Sequence, residues 1–422
     1  MKKTVNHILA AGLLALLSLA SCTDEFIEGN DLQGVDRDKR VEVRLPFGVG
    51  RGITTTITTR AAGGEIDYDS QLSGVMAFVY EAKSDNPEEN ELLAYHLFSN
   101  PSNKPLEGAT GGWIADNDDP TCGEIKFYVP VGDVYIYLLG NAQSSFLNFF
   151  PGVSGGDALG TQAEFFEKAT PKWNGNIHSV DGYLPLTGMV NNNTGLCHVN
   201  EQGQISYTDE EGKTHTLLPD GKHDEDNSFV LKRLMSKITM NIREGKGVKF
   251  TPRDYTVRHI PHYVSPTAQA WTEEERDRIL VEDAKPVNFG VLDPLTFTIY
   301  LPENIRKVRP GVEITEYRQR DKVVKTADNK NTEETAPDDF HADNADNHKG
   351  HYKFEFAPKA STYIELTGWF ENADKTVAAD VRYYIHLGNF GKDLNHFSVE
   401  RDHHYTYNVT INGVDDIVVE VE

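Results

Sequence analysis

The chain has 422 residues and a formal net charge of −24 at pH 7, from 65 acidic and 41 basic side chains. So negative a surface repels nucleic acid and anionic lipid, and neither is expected as a partner. The length suits two domains, or three at most. The three cysteines have no metal-binding spacing, which excludes a zinc module held by thiolates.

The first 21 residues have the pattern of a bacterial lipoprotein signal peptide. A basic start precedes an apolar stretch, residues 8–20, which is too short to span a bilayer as a helix. It ends in Leu19-Ala20-Ser21-Cys22, which resembles the recognition site of lipoprotein signal peptidase. Leu19, Ala20 and Ser21 are the expected recognition residues and Cys22 is the expected lipidation site. An ordinary signal peptide followed by a chance cysteine is the alternative.

Residues 22–40 are acidic at the start and have no apolar period, so they predict a flexible tether. An acidic stretch directly behind a lipidated cysteine is similar to the surface-export signal of Bacteroidetes lipoproteins. No later apolar run reaches transmembrane length. The expected location is therefore the outer face of the outer membrane, with lipid as the anchor.

Residues 41–228 predict an N-terminal domain rich in β-strands. Residues 41–47 alternate between apolar and polar side chains, the pattern of a half-buried strand. Residues 125–130 and 134–139 predict two strands joined as a hairpin by a short turn that contains Gly-Asp. Residues 162–168 predict a short helix.

A second β-rich domain is expected over residues 229–422, because the alternation resumes at Phe229 and is clear from Ser236. It contains a charged stretch, residues 306–349, that has almost no apolar period and predicts a long loop. Many short strands separated by turn residues, without a long helix, predict a mostly β protein built from β-sandwiches.

Nothing in the sequence indicates catalysis or a metal site. His341, His348 and His351 stand among acidic residues of the charged stretch, but a loop does not hold ligands around one point. His403 and His404 are adjacent in a predicted strand and face opposite sides of it, so they cannot chelate one ion together. The expectation is a protein that is not an enzyme and has no cofactor or metal.

One function that the sequence permits is that of a surface lipoprotein that binds glycans. It would need exposed aromatic rings to stack on sugars, and the candidates are Trp113, Trp173, Trp271 and Trp369. Tryptophans so widely spaced are more often core residues. The sequence also leaves open whether Cys122 and Cys197 form a disulfide in an oxidising envelope.

Several short stretches together resemble the fimbrillin family of Bacteroidetes, the FimA/Mfa-like subunits of type V pili. Each stretch is short, but their order and spacing cover nearly the whole chain. In chain order they are Thr58-Thr59-Arg60-Ala61, the run from Pro130 to Ala142, Leu184-Pro185-Leu186-Thr187-Gly188-Met189, the run from Leu231 to Ile238, Tyr300-Leu301-Pro302-Glu303-Asn304, and the run from Val399 to Tyr405.

The resemblance implies two transthyretin-like β-sandwich domains in tandem. It also implies assembly by strand exchange, in which an arginine-specific protease removes the first strand and a strand of another subunit fills the groove. Residues 41–47 would be the removable strand. The cut would follow Arg60, before Ala61, with Arg51 as the second candidate. The alternative for Arg60 is a plain loop arginine.

This mechanism requires residues 41–47 to form a sheet edge, since a strand in the middle of a sheet, flanked on both sides, could not be exchanged. The position in the pilus depends on the end of the chain. If residues 417–419 close the chain's own sheet, a tip or minor, adhesive subunit is expected. If residues 418–422 are a donor, an anchor or stalk subunit is expected. The partners would be other fimbrial subunits and a ligand on a host or bacterial surface.

Overall fold

The fold is known from a computed structural model. It describes residues 39–50, 71–101, 109, 111–115, 121–143, 147–148, 159–168, 170–178, 183–190, 194–218, 228–266, 281–289, 295–306, 308, 311–325, 352–391 and 393–421. The signal peptide, Leu19, Ala20, Ser21, Cys22 and most of the tether lie outside the described residues. So do Arg51, Arg60, Ala61, Trp271, His341, His348 and His351.

The protein is mostly β, as the sequence predicts. Two short helices accompany the strands in the described part of the chain. Helix α1 spans Gln162–Lys168, as predicted, and helix α2 spans Tyr317–Arg320. Helix α2 and a short strand, Val323–Lys325, lie within the stretch predicted to be a long loop, so that prediction is wrong for these two segments.

The first sheet has eleven strands in the order β12-β11-β10-β6-β9-β13-β1-β5-β4, with β2 beside β6 and β3 beside β2. The strands β7 and β8 form a separate pair. The bounds are β1 (Arg40–Val49), β2 (Gly74–Glu81), β3 (Leu92–Ser99), β4 (Trp113–Ala115), β5 (Cys122–Pro130), β6 (Gly132–Gly140), β7 (Leu147–Asn148), β8 (Lys172–Trp173), β9 (Leu186–Gly188), β10 (Leu196–Val199), β11 (Ile205–Thr208), β12 (Thr214–Thr216) and β13 (Phe229–Arg233).

The rest of the chain forms two four-stranded sheets, β19-β14-β24-β25 and β18-β15-β22-β23, and two short strand pairs. The bounds are β14 (Met235–Glu244), β15 (Val248–Arg258), β16 (Ile260–Pro261), β17 (Val281–Glu282), β18 (Val287–Asn288), β19 (Thr296–Pro302), β20 (Val323–Lys325), β21 (Tyr352–Phe354), β22 (Tyr363–Asn372), β23 (Ala378–His386), β24 (His404–Ile411) and β25 (Ile417–Val421).

The two four-stranded sheets pack face to face as a β-sandwich. Their inward side chains share one core, in which Met240 and Val409 of one sheet join Val257 and Leu366 of the other. The rings of Tyr255 in β15 and Phe297 in β19 stack across the core with centroids 4.0 Å apart. Alternate side chains of each strand enter this core, which is why the period-two pattern of the sequence identified them.

Strands β5 and β6 do not form the predicted hairpin. Strand β5 pairs with β1 and β4, whereas β6 pairs with β2, β9 and β10. Gly132, with φ of +130°, begins β6 directly after the short break that ends β5. Phe127 of β5 and Ile136 of β6 belong to the same buried cluster. A shared core, rather than a shared ladder, joins the two strands.

Sheet membership changes at Leu234. Strand β13, which the sequence places at the start of the second domain, pairs with β1 and β9 of the first sheet. The division into domains at residues 228 and 229 stays a prediction. One buried cluster includes Tyr137 and Trp173 from the first half of the chain and Ile260 and Val264 from the second.

Within the part of the chain that the structure describes, no helix has the length and apolar character needed to cross a membrane.

Candidate functional site at the first strand

Strand β1 lies between two partners. It runs antiparallel to β5 over nine residue pairs, from Arg40–Pro130 to Gly48–Cys122. Its last three residues also run parallel to β13, from Phe47–Phe229 to Val49–Leu231. Among the described strands, residues 41–46 therefore pair on one side only, as an edge would, whereas the predicted edge position is wrong for Phe47. Apolar alternation reveals which faces of a strand are buried, but not how many strands flank it.

The buried face of β1 is part of the first core. Val43, Leu45 and Phe47 have no exposed surface. The Phe47 ring meets the Trp113 ring edge-on, with centroids 4.9 Å apart. Gly123 lies opposite Phe47, and a Cβ atom on Gly123 would come within 3.1 Å of the Phe47 ring. Burial of each such side chain contributes roughly 1.5–3 kcal/mol, so the core depends on an apolar strand in this position.

The turn between β10 and β11 covers β1 where β13 does not reach. Gly203 has φ of +75°, and a Cβ atom there would lie 2.2 Å from the Glu42 carbonyl oxygen. The Lys39 ammonium donates to the Glu201 carboxylate at 2.5 Å on the same turn. The turn thus approaches the β1 backbone closely at its N-terminal half.

Arg233 and Asp402 hold the end of β1. The Gly50 N–H donates to the Leu231 carbonyl at 2.9 Å. Arg233 Nη1 donates to the Gly50 carbonyl at 3.0 Å and to Asp402 Oδ1 at 2.7 Å. The Arg233 and Asp402 side chains are each only 13% exposed. Asp402 has φ of +59°, and its N–H donates to the Met235 carbonyl at 3.1 Å. We call this pair the Arg233–Asp402 clamp.

Three of the stretches that resemble fimbrillins meet beside this clamp. The Lys237 N–H donates to the His403 carbonyl at 2.9 Å, which joins the run from Leu231 to Ile238 to the run from Val399 to Tyr405. Arg401 donates to the Glu303 carboxylate at 2.7 Å. The backbones of Asn304 and Val399 exchange two hydrogen bonds, at 2.8 and 3.0 Å.

Two more of these stretches meet at Asn141, which is buried and has φ of +53°. Its side-chain amide donates to the Leu184 and Gln71 carbonyls at 2.8 Å each. Its side-chain oxygen accepts from the Ser73 N–H at 2.8 Å. Asn141, which follows β6, therefore connects its own segment to the residues before β2 and to those before β9. The sequence identified both stretches but not their contact.

Helix α2, which belongs to the charged stretch, is held by its buried residue Arg320. Arg320 is fully buried, and its guanidinium carbon lies 4.3 Å and 3.9 Å from the ring centroids of Phe390 and Phe397. It donates to the Leu387 carbonyl at 3.1 Å. Burial lowers the pKa of Arg320 from its ordinary value. Phe390 and Phe397 lie some 70 residues further along the chain. The spacing of apolar residues near Arg320 therefore could not reveal that helix α2 packs against them.

Of the candidate histidines and cysteines, His403, His404, Cys122 and Cys197 are described by the structure. The His403 ring stacks on Tyr405, and His404 lies 3.0 Å from the Thr239 hydroxyl, so the two rings serve different contacts. Among the described residues, no three His, Cys, Asp or Glu side chains gather as a metal site. Cys122 and Cys197 form no disulfide with each other in this structure, and burial raises the pKa of Cys197.

Among the described tryptophans, Trp113 and Trp173 pack inside the protein rather than forming an exposed platform for sugars. Trp173 is 2% exposed in the core, and Trp113 packs on Phe47. Trp369, in β22, is 42% exposed. Trp271 lies outside the described residues. Two of the four candidates are thus used by the protein's own core.

Strand β25 is bonded into the chain's own sheet. It runs antiparallel to β24, from Tyr407–Val421 to Ile411–Ile417. Val419 is buried, whereas Val418 is 46% exposed. Residues 417–419 therefore close a sheet of this chain, the first of the two arrangements considered from the sequence.

Comparisons with known proteins give fimbrial and adhesion proteins. Residues 299–409 match a family described as a domain of unknown function (DUF4906). No curated protein matches the chain. The chain is similar in structure to the tip fimbrial protein Mfa3 of Porphyromonas gingivalis, in a C-terminally truncated form, at 13% identity and a TM-score of 0.44. That match covers 91% of this chain and 98% of the other.

The resemblance predicted from the sequence is confirmed. A proposed cell adhesion protein of Parabacteroides distasonis is similar at 9% identity and a TM-score of 0.48, over 91% of this chain and 98% of the other. The fimbrial anchor protein Mfa2 of Porphyromonas gingivalis is similar at 8% identity and a TM-score of 0.33, over 90% and 96%. None of these three is described as an enzyme.

Proposed function

We propose that this chain is a non-enzymatic structural subunit of a cell-surface fimbria that assembles by strand exchange. The observation that carries the proposal is the placement of β1. It contributes Val43, Leu45 and Phe47 to the first core and ends at Val49, shortly before Arg51 and Arg60 in the sequence. Removal of this one strand would open a groove and leave the strands around it covalently intact.

The chemistry of exchange follows from the β1 ladders. Without β1, backbone groups along nine pairs of β5 and three pairs of β13 lose their partners. An unsatisfied buried backbone group costs about 1–3 kcal/mol, so the groove strongly favours a replacement strand. The pairing with β13 makes exchange harder than at an edge. However, Arg40–Pro46 pairs with β5 alone among the described strands, so most of β1 has one ladder to break.

The same proposal includes the route to the surface. A signal peptide of residues 1–21, lipid on Cys22 after cleavage at Leu19-Ala20-Ser21, and a tether of residues 22–40 would present the folded subunit on the outer membrane. Cleavage after Arg60 would then release both tether and β1. The two-domain division, 41–228 and 229–422, belongs to this proposal.

We assign the subunit a tip or minor position. Strand β25 is hydrogen-bonded to β24 along its whole length, so it is not presented as a free donor. A subunit that accepts a strand in the β1 position and keeps β25 docked would suit a tip or minor position. Its remaining surface would then be available for adhesion to a host or bacterial ligand.

The test is proteolysis of the purified full chain with an arginine-specific protease. We expect one cut after Arg60, followed by release of the N-terminal piece only when a fimbrial partner subunit is added. Arg60→Gln should abolish the cut, and Arg51→Gln is the matched control. Mass spectrometry identifies the cut and size-exclusion chromatography the release. A chain whose N-terminal piece stays bound in the presence of partner subunits would contradict strand exchange.

A further inference from the structure

We propose that the Arg233–Asp402 clamp sets the register of whichever strand occupies the β1 position. The inference rests on the proposed function, because it concerns the strand that replaces β1. It identifies that strand by its chemistry: apolar side chains at three alternate positions, an aromatic ring at the third, and a glycine three residues later.

A ladder alone does not fix this register. A shift by one residue would turn the apolar face of the strand toward solvent, but a shift by two would keep it buried. Such a shift would put Leu45 or Val49 where Phe47 now lies. The backbone ladders could form again in either position. Something beyond the ladder must therefore distinguish registers that differ by two residues.

The first feature that does so is the space around Phe47. Gly123 lies opposite it, and Trp113 closes the space with an edge-on ring contact. An aliphatic side chain in this place would leave part of the space empty, and cavities in a core are costly. The site therefore favours a ring at this one position.

The second feature is the clamp itself. Arg233 donates to the carbonyl of Gly50, one residue beyond the last ladder pair of β1. Asp402 fixes the guanidinium through a charge-assisted hydrogen bond. A Cβ atom at Gly50 would lie 3.0 Å from Val230 Cγ1 and 3.6 Å from Asp402 Oδ2. The clamp thus accepts a backbone carbonyl with little room for a side chain.

The clamp also joins separate parts of the molecule. Arg233 is the last residue of β13, and Asp402 lies in the turn before β24 of the β-sandwich. A strand seated in the β1 position is consequently bonded at its end to residues of both the first sheet and the sandwich.

The first experiment is amide hydrogen exchange on the full chain. In Arg233→Met, exchange at Val49 and Gly50 should be at least tenfold faster than in the wild type, while exchange in β22 is unchanged. Arg253→Met is the matched control, because Arg253 forms an exposed ion pair with Asp380 and does not contact β1. Equal exchange at Gly50 in both variants, or a uniform rise across the protein, would overturn the clamp.

The second experiment uses synthetic peptides after arginine-specific cleavage of the full chain. A peptide of residues 40–50 should release the native strand at concentrations at least tenfold lower than a peptide that ends at Val49 or one that carries Gly50→Val. In Arg233→Met, the peptides ending at 49 and 50 should be equally effective. Release by all peptides alike would overturn the inference alone. No release by any peptide would overturn the proposed function and the inference with it.

Discussion

At the scale of single residues, two glycines with the same backbone conformation differ in what surrounds them. Gly203 and Gly212 have φ of +75° and +79° in neighbouring turns. A side chain at Gly203 would collide with the Glu42 carbonyl of β1, whereas none would meet an atom within 4 Å at Gly212. The pair therefore separates the cost of a left-handed backbone from the cost of crowding β1.

We predict that Gly203→Ala lowers the free energy of unfolding by about 3 kcal/mol and Gly212→Ala by about 1 kcal/mol. The left-handed conformation accounts for the shared part, and displacement of the turn from β1 for the remainder. Urea denaturation measures both. Equal losses in the two variants would show that the turn does not press on β1.

His386 makes the stability of the second half depend on pH. It is 1% exposed, and its Nδ1 lies 2.7 Å from Asp321 Oδ1. Burial lowers its pKa from the ordinary value of 6.5, although the hydrogen bond to Asp321 opposes the shift. The unfolded chain therefore binds a proton at His386 more readily than the folded chain does. The contribution of His386 to the free energy of unfolding is fully present above pH 6.5 and is lost as the pH falls below that value.

We therefore predict that His386→Gln weakens the fall in melting temperature between pH 7 and pH 5. The matched control is His198→Gln, because His198 is 56% exposed and pairs with an exposed Asp133. That control should follow the wild-type curve. Thermal unfolding at a series of pH values gives the melting temperature of each variant. If the melting temperature of His386→Gln fell with pH as steeply as that of the wild type, groups other than His386 would cause the acid sensitivity.

At the scale of elements, the alternation of β1 predicts that substitutions on its buried face cost more stability than substitutions on its exposed face. We predict that Phe47→Ala costs about 3–5 kcal/mol, because a fully buried ring is lost beside Trp113. Glu42→Ala on the exposed face should change stability by less than about 0.5 kcal/mol. Chemical denaturation compares the two, and a small loss in Phe47→Ala would mean that β1 contributes little to the first core.

The same alternation explains which elements the sequence predicts and which it does not. A period of two identifies strands and their buried faces, so β1, β5, β6 and the β-rich class follow from it. It contains no information on pairing partners. This is why the predicted hairpin of β5 and β6 was wrong, and why the pairing of Phe47 with β13 was not predicted. Helix α2 escaped prediction because distant rings, rather than neighbours in sequence, bury Arg320.

At the scale of the whole molecule, the candidate site is dispersed along the chain. Its strand, Arg233 and Asp402 lie far apart in sequence, and their contact arises only when the first sheet and the sandwich are both formed. The sequence predicts the strand from its pattern and the neighbouring stretches from their resemblance. The clamp itself required the three-dimensional arrangement.

The two halves of the chain should unfold together, because one core crosses between them. Trp173 is 2% exposed in that core, and its backbone N–H donates to the His262 carbonyl at 2.9 Å. The Tyr300 N–H likewise donates to the Ile177 carbonyl at 2.8 Å. Neither half would keep its contacts if the other opened.

We predict a single calorimetric transition for the full chain, and a loss of about 3–5 kcal/mol in Trp173→Ala that is shared by both halves. Amide exchange should then accelerate in β6 of the first sheet and in β15 of the sandwich by similar factors. Trp369→Ala is the matched control, since this 42% exposed ring adds little to any core. Faster exchange in β6 with β15 unaffected would show two independent folding units, and a single core would then no longer explain the stability of the molecule.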